Sequence, residues 1–167
     1  MPSYLVTGGT RSGKSSFALQ LAASAERPFY IATGWAGDGE MEVRIEKHRK
    51  ERGDRWRTIE TRTEVPAAIA RALSELTDFI LVDCLTLWTS NLMFEQKDVN
   101  AAVAELIRAI PDDVPIVFVT NELGSGIVPD NKLARDFRDE AGRVNQAVAA
   151  AVENVYLTVC GIPVKIK

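Results

Sequence analysis

Gly8-Gly9-Thr10-Arg11-Ser12-Gly13-Lys14-Ser15 is the stretch on which the reading of this chain turns. It fits the pattern G-x-x-x-x-G-K-[ST], a loop built to hold phosphate. Its flanks agree: the apolar run Tyr4-Leu5-Val6 precedes it, and Ser16-Phe17-Ala18-Leu19-Gln20-Leu21-Ala22-Ala23 follows as a helix. Small residues let the backbone curl so that successive N–H groups point inward, and the helix N-terminus adds partial positive charge. In this pattern Lys14 reaches the β- and γ-phosphates and acts in catalysis, while Ser15 offers its hydroxyl to Mg²⁺. A glycine-rich turn that binds nothing is the competing reading, and the strand–loop–helix context argues against it.

Outward from this loop the chain alternates strand and helix. Strands are expected at 4–7, 29–32, 57–60, 79–83 and 115–120, and helices at 14–24, 40–52, 64–76, 85–94, 99–110 and 131–154. The strands are short and apolar, as parallel strands covered on both faces are. Two last strands, 155–159 and 164–166, are joined through Gly161-Ile162-Pro163 and are short enough to form an antiparallel terminal pair. The expected fold class is α/β, a P-loop NTPase with a mainly parallel sheet between helices. On the helix 64–76 the apolar set Val65, Ala68, Ile69, Ala72, Leu73 and Leu76 faces inward. On the helix 131–154 Leu133, Phe137, Val144 and Val148 share one side, and Arg135, Arg138 and Arg143 read as a solvated face.

Candidate site residues fall at the carboxyl ends of the strands, where open α/β sheets bind ligands. Phe79-Ile80-Leu81-Val82-Asp83 is an apolar strand ending in Asp, the second nucleotide motif, whose carboxylate holds Mg²⁺ or its water. The strand 115–120 delivers Asn121-Glu122 to the same edge, and Leu123-Gly124-Ser125-Gly126-Ile127-Val128-Pro129 is a candidate lid or substrate loop. The loop 33–39 after the second strand is a candidate wall of the nucleotide site. His48, the single histidine, lies on an expected helix with Met41, Ile45 and Arg52 on its stripe and Arg44 one turn before it. Taken alone it reads as a surface or packing residue; cations beside it would favour its neutral form.

Length and composition bound the function. The 167 residues suit one domain, 1–167, with a sizeable core. A net charge of −3 with no long basic run points away from nucleic acid. No apolar run approaches the ~20 residues of a membrane span, and the N-terminus enters a strand directly, so a cytoplasmic protein without a signal peptide is expected. Cys84 and Cys160 lack metal-ligand spacing and read as reduced core thiols, and one histidine argues against a zinc site.

The chain also resembles the bifunctional adenosylcobinamide kinase/adenosylcobinamide-phosphate guanylyltransferases of cobalamin biosynthesis. The resemblance rests on Leu5-Val6-Thr7 leading into the phosphate loop, on Tyr30-Ile31-Ala32-Thr33, on Glu40-Met41 with Arg44-Ile45 and His48, and on Trp56-Arg57-Thr58 with Glu60. It continues in Thr120-Asn121-Glu122-Leu123-Gly124, Asn131-Lys132-Leu133-Ala134-Arg135, Arg138-Asp139, Gly142-Arg143-Val144-Asn145-Gln146 and the tail Gly161-Ile162-Pro163-Val164-Lys165-Ile166-Lys167. That family places a nucleophilic histidine after the second strand, and His48 falls in that place. The resemblance implies phosphorylation of adenosylcobinamide with ATP or GTP, followed by GMP transfer from GTP to adenosylcobinamide phosphate through a guanylyl-histidine, with Mg²⁺ held by Ser15 and Asp83. It implies nucleotide contacts at Thr33, Gly34 and Trp35, at Lys50, Glu51, Arg52 and Gly53, and at Glu60 and Asp83, besides the phosphate loop. It also implies a recombinase-type (RecA-like) P-loop fold and a homotrimer.

Two other readings compete. One is a small-molecule P-loop kinase in which His48 is inert. The other is a nucleotide-dependent switch protein; Asn131-Lys132-Leu133-Ala134 lacks the Asp of a guanine-specific signature and opens a helix, which counts against it.

Overall fold

A computed structural model describes residues 2–34 and 53–167. The chain runs β1 (Ser3–Gly8), α1 (Lys14–Leu21), β2 (Pro28–Ala32), β3 (Arg57–Glu60), α2 (Val65–Ser74) and β4 (Phe79–Asp83). It continues through α3 (Leu85–Phe94), α4 (Val99–Arg108), β5 (Ile116–Val119), α5 (Lys132–Ala151), β6 (Asn154–Val159) and β7 (Ile162–Lys165). The expected helix 40–52 lies outside the described residues.

The strands form a single seven-stranded sheet in the order β3-β2-β4-β5-β1-β6-β7. The first six are mutually parallel, and β7 runs antiparallel to β6, as the terminal pair was expected to. β5 therefore sits between β1, which enters the phosphate loop, and β4, which ends in Asp83. Across the sheet one row of register reads Glu60, Ala32, Asp83, Val119, Val6 and Tyr156. At a strand spacing of about 4.8 Å, Asp83 lies about 10 Å from Val6 and Glu60 about 19 Å from it.

Alternate residues along each strand bury on opposite faces. Leu5, Phe29, Ile31, Ile80, Val82 and Phe118 pack on one face against α2, α3, α4 and α5, with Trp88 of α3 fully buried among them. Val6, Tyr30, Leu81, Val117 and Val119 pack on the other against Ala18 of α1 and Ala22 at its C-cap, with Trp56 and Phe79 closing that side. Burial on both faces is why these strands read as continuous apolar runs rather than as alternating ones.

Helix details differ from the sequence reading: α1 ends at Leu21 rather than 24, and α4 at Arg108 rather than 110. α2 ends at Ser74, and Leu76 turns into the left-handed region (φ 58) and stands exposed, so it leaves the inward stripe. α5 ends at Ala151, because Val152 is extended and feeds straight into β6. Leu133, in the first turn of α5, is exposed, and the buried stripe is Ala141, Val144 and Val148. The helix begins beside a surface loop and reaches the sheet only further along.

Candidate functional site

The phosphate loop leaves β1 at Gly8 and enters α1 at Lys14. Its curvature depends on two glycines. A Cβ on Gly8 would lie 2.5 Å from the Thr158 carbonyl oxygen, and Gly13 holds φ 98 with no room for a Cβ. Gly13 stands at the N-cap of α1, so the helix's unpaired N–H groups open into the loop. Gly9, Thr10 and Arg11 are exposed at the rim, and Ser12 is buried below them.

Lys14 spans the loop. Its Nζ donates to the Gly9 carbonyl oxygen at 2.6 Å and to Ser12 Oγ at 3.4 Å. The residue is 8% exposed, and burial pushes its pKa below the usual lysine value, while Cys84 and Asp83 nearby pull it back up. A cation held over the loop on backbone and hydroxyl oxygens is placed to exchange them for phosphate oxygens. Ser15 follows it at the start of α1 and is half-buried.

Asp83 closes β4 at the same edge. The Tyr30 hydroxyl donates to its Oδ2 at 2.6 Å, and the carboxylate keeps partial access to solvent. Among the described residues no group of three or more His, Cys, Asp and Glu could hold a metal ion. Mg²⁺ fits the residues present in another way. It takes hard oxygen ligands and is commonly held by one or two protein groups together with substrate phosphates. The Ser15 hydroxyl and the Asp83 carboxylate are such groups.

Other expected site residues divide. Thr33 is fully buried, and its hydroxyl donates to the Cys84 carbonyl oxygen at 2.8 Å and accepts from the Cys84 N–H at 2.7 Å. Its own N–H donates to the Asp83 carbonyl oxygen, and its carbonyl accepts from Asn91 Nδ2. Thr33 thus clamps the ends of β2 and β4 together. Gly34 is half-buried beyond it. Glu60 is exposed at the end of the edge strand β3, and Gly53 is exposed with φ 76. The strand order places three strands, β2, β4 and β5, between Glu60 on β3 and β1, which enters the phosphate loop. Trp35, His48, Lys50, Glu51 and Arg52 lie outside the described residues.

Of the other residues at this edge, Thr86 was missed, and Tyr30, Thr120, Asn121 and Asn145 were read only within longer stretches, with no partner assigned. Tyr30 is the partner of Asp83. Thr86, Thr120, Asn121 and Asn145 form a closed ring of hydrogen bonds. Thr120 Oγ1 donates to Asn145 Oδ1 at 2.7 Å, and Asn145 Nδ2 donates to the Asn121 carbonyl at 3.1 Å. The Asn121 N–H donates to Thr86 Oγ1 at 2.8 Å, and the Thr86 and Thr120 hydroxyls lie 3.2 Å apart. The ring fixes the chain leaving β5, where the Glu122 N–H donates to the Gly8 carbonyl at 3.0 Å. Thr7 Oγ1, one residue before the loop, is buried without a hydrogen-bond partner.

The arginines of α5 do more than solvate a face. Arg135 donates to the carbonyls of Pro129 and Asp130, and Arg138 donates to that of Gly124, so both tie the 123–130 loop to the helix. Arg143 pairs with Glu140 on the surface, as expected. Cys84 is buried, but Cys160 is exposed at the β6–β7 turn and is no core thiol: the turn projects its side chain away from the sheet.

Comparison with known proteins agrees with this architecture. The chain is similar in fold to an ATPase of the type III secretion system (TM-score 0.65, 10% identity, 98% of this chain and 56% of that one). It is likewise similar to a KaiC-like protein of Pyrococcus horikoshii OT3 (TM-score 0.56, 16% identity, 93% of this chain and 70% of that one). In sequence it is 45% identical to the bifunctional adenosylcobalamin biosynthesis protein CobU of Salmonella typhimurium and 42% identical to that of Escherichia coli K12, over 98% of each chain. It is 44% identical to the bifunctional adenosylcobalamin biosynthesis protein CobP of Pseudomonas aeruginosa, over 98% of this chain and 96% of that one. The family model for cobinamide kinase / cobinamide phosphate guanyltransferase matches residues 4–166. With the phosphate loop, Asp83 and the sheet order assembled as described, this chain belongs to the cobinamide kinase / cobinamide phosphate guanyltransferase family.

Proposed function

We propose that this protein is a bifunctional adenosylcobinamide kinase and adenosylcobinamide-phosphate guanylyltransferase. The observation that carries the reading is the phosphate loop with Lys14 held across it, in a chain that matches the family over residues 4–166. In the kinase reaction, the hydroxyl oxygen of the substrate's aminopropanol arm attacks the γ-phosphorus of ATP or GTP. The bond from that phosphorus to the bridging oxygen breaks, the nucleoside diphosphate leaves and the hydroxyl gives up its proton. The loop N–H groups and Lys14 hold the phosphates and meet the charge that develops on them. Mg²⁺, held by Ser15 and Asp83, supplies further positive charge to the phosphate oxygens when bound.

In the transferase reaction, a ring nitrogen of His48 attacks the α-phosphorus of GTP. The bond to the β-phosphate oxygen breaks and pyrophosphate leaves. A phosphate oxygen of adenosylcobinamide phosphate then attacks the guanylyl phosphorus, the phosphorus–nitrogen bond breaks, and adenosylcobinamide-GDP forms with His48 restored. Two steps with a covalent enzyme intermediate replace one difficult displacement. Glu60, Gly53, Gly34, Trp35, Lys50, Glu51 and Arg52 contribute the nucleotide contacts away from the triphosphate, and Thr33 acts through the β2–β4 edge that it clamps. The enzyme works in the cytoplasm as a homotrimer.

The test uses α-labelled GTP with Mg²⁺ and no acceptor, on wild type and His48→Ala. Acid-labile, base-stable label on wild type alone is the expected result. Absence of label on folded, GTP-binding wild type would sink the guanylyl-histidine route and leave a P-loop kinase.

A further inference from the structure

The turn between β6 and β7 lies directly against the phosphate loop. The Gly161 N–H donates to the Ser12 carbonyl oxygen at 2.8 Å. A Cβ on Gly13 would stand 2.9 Å from Gly161 Cα, so backbone packs on backbone there. Thr158, 1% exposed, donates its hydroxyl to the Thr7 carbonyl at 3.0 Å, and its own carbonyl oxygen would lie 2.5 Å from a Cβ on Gly8. One strand end and one turn therefore touch the loop at its entry, Thr7-Gly8, and at its exit, Ser12-Gly13. Between these anchors Gly9, Thr10 and Arg11 are exposed, and Arg11 holds φ 56.

A phosphate loop binds well when its N–H groups converge before the ligand arrives, because ordering the loop on binding costs affinity. We propose that Thr158 and Gly161 are positioning residues for the phosphate site, holding the loop in its curved form at its entry and exit. This rests on the reading of residues 8–15 as a triphosphate site. Gly161 is suited to the task by conformation rather than by size. It holds φ +80, yet a Cβ there would meet nothing within 4 Å. Alanine at this position is therefore strained without a clash, whereas asparagine tolerates the left-handed region.

The experiment measures binding of a fluorescent, non-hydrolysable GTP analogue with Mg²⁺, alongside the melting temperature, for wild type, Gly161→Ala, Gly161→Asn, Thr158→Val and Val164→Ala. Val164 lies on β7 and is half-exposed, so its truncation loosens the same hairpin without touching the loop. Gly161→Ala is expected to weaken binding roughly tenfold. Gly161→Asn is expected to recover most of that loss, and Val164→Ala to bind as wild type does. Should Gly161→Ala fail to fold, Thr158→Val decides, with an expected loss of about threefold for one hydrogen bond. Wild-type affinity in folded Gly161→Ala, or affinity in all variants falling in step with melting temperature, overturns the proposal. Wild type that does not bind the analogue removes the triphosphate reading itself, a failure distinct from that of the turn.

Discussion

The Tyr30 hydroxyl and the Asp83 carboxylate meet at 2.6 Å across two neighbouring parallel strands, β2 and β4. Tyr30 is held there by an edge-on contact with Trp56, whose ring in turn meets Phe79 edge-on. An edge-on aromatic cluster thus aims a donor at one oxygen of Asp83. Tyr30→Phe keeps the cluster and deletes the donor. A hydrogen bond to a charged group contributes about 1.5–3 kcal/mol, so kcat/KM is expected to fall about tenfold or more. The Mg²⁺ concentration needed for half-maximal activity should rise, and denaturant stability should fall by no more than about 3 kcal/mol. A Mg²⁺ titration of the variant checks this; an unchanged requirement would mean that Tyr30 has no part in positioning Asp83.

Lys14 is expected to make nucleotide binding pH-dependent. Burial, the larger influence, lowers its pKa in the free protein, and a phosphate taking the place of the Gly9 carbonyl would raise it again. Between the two values, binding takes up a proton, and affinity falls as pH rises through the pKa of the free form. The same shift sets the sign for stability. The folded chain sheds this proton at a lower pH than the unfolded chain, so Lys14's contribution to folding rises with pH across that window and is constant below it. Calorimetric titration of nucleotide in buffers of different ionisation heat, on the alkaline side and below about 10.4, should reveal the proton uptake, and Lys14→Met should abolish it.

The ring of Thr86, Thr120, Asn121 and Asn145 predicts a stability effect with a structural readout. Asn145→Ala deprives the buried Thr120 hydroxyl of its acceptor and the Asn121 carbonyl of a donor. The expected cost is about 2 kcal/mol by urea denaturation. Because Thr120 and Asn145 share a hydrogen bond, Thr120→Val and Asn145→Ala should be non-additive by at least about 0.5 kcal/mol in a double-mutant cycle. Additive losses would mean that the residues act independently.

The two thiols should differ in reactivity. Cys84 is buried, and burial together with the adjacent Asp83 pushes its pKa up to about 12, whereas Cys160 is exposed. The thiolate is the reactive form. A thiol reagent applied to the folded protein is therefore expected to modify Cys160 alone, and Cys84 only after unfolding. Mass spectrometry of the labelled peptides checks the assignment; rapid labelling of Cys84 in the folded state would contradict its burial.

Local signals made much of the site legible. The glycine spacing, the apolar strand before it and the helix after it identified residues 8–15 because each is a short-range preference of the backbone. Phe79-Ile80-Leu81-Val82-Asp83 was legible for the same reason: a buried strand ending in a carboxylate is a contiguous pattern. The end of α2 was read two residues too long, since an apolar residue at the right spacing looks inward until the backbone turns left-handed at Leu76. Cys160 looked like a core residue because a run of apolar neighbours does not reveal a turn.

The chain's own order of residues thus determined the elements, the phosphate loop and the family, all of which depend on contiguous patterns. Only the tertiary structure decided which strands lie side by side. Inserting β5 between β1 and β4 set the spacing of Asp83 from the loop, placing β2 beside β4 paired Tyr30 with Asp83, and packing α5 over the sheet brought Asn145 to the end of β5. Pairing β6 with β1 likewise brought the β6–β7 turn onto Ser12 and Gly13. These are contacts between residues far apart in the chain, and they form because burying both faces of the sheet fixes strand neighbours that no local preference specifies.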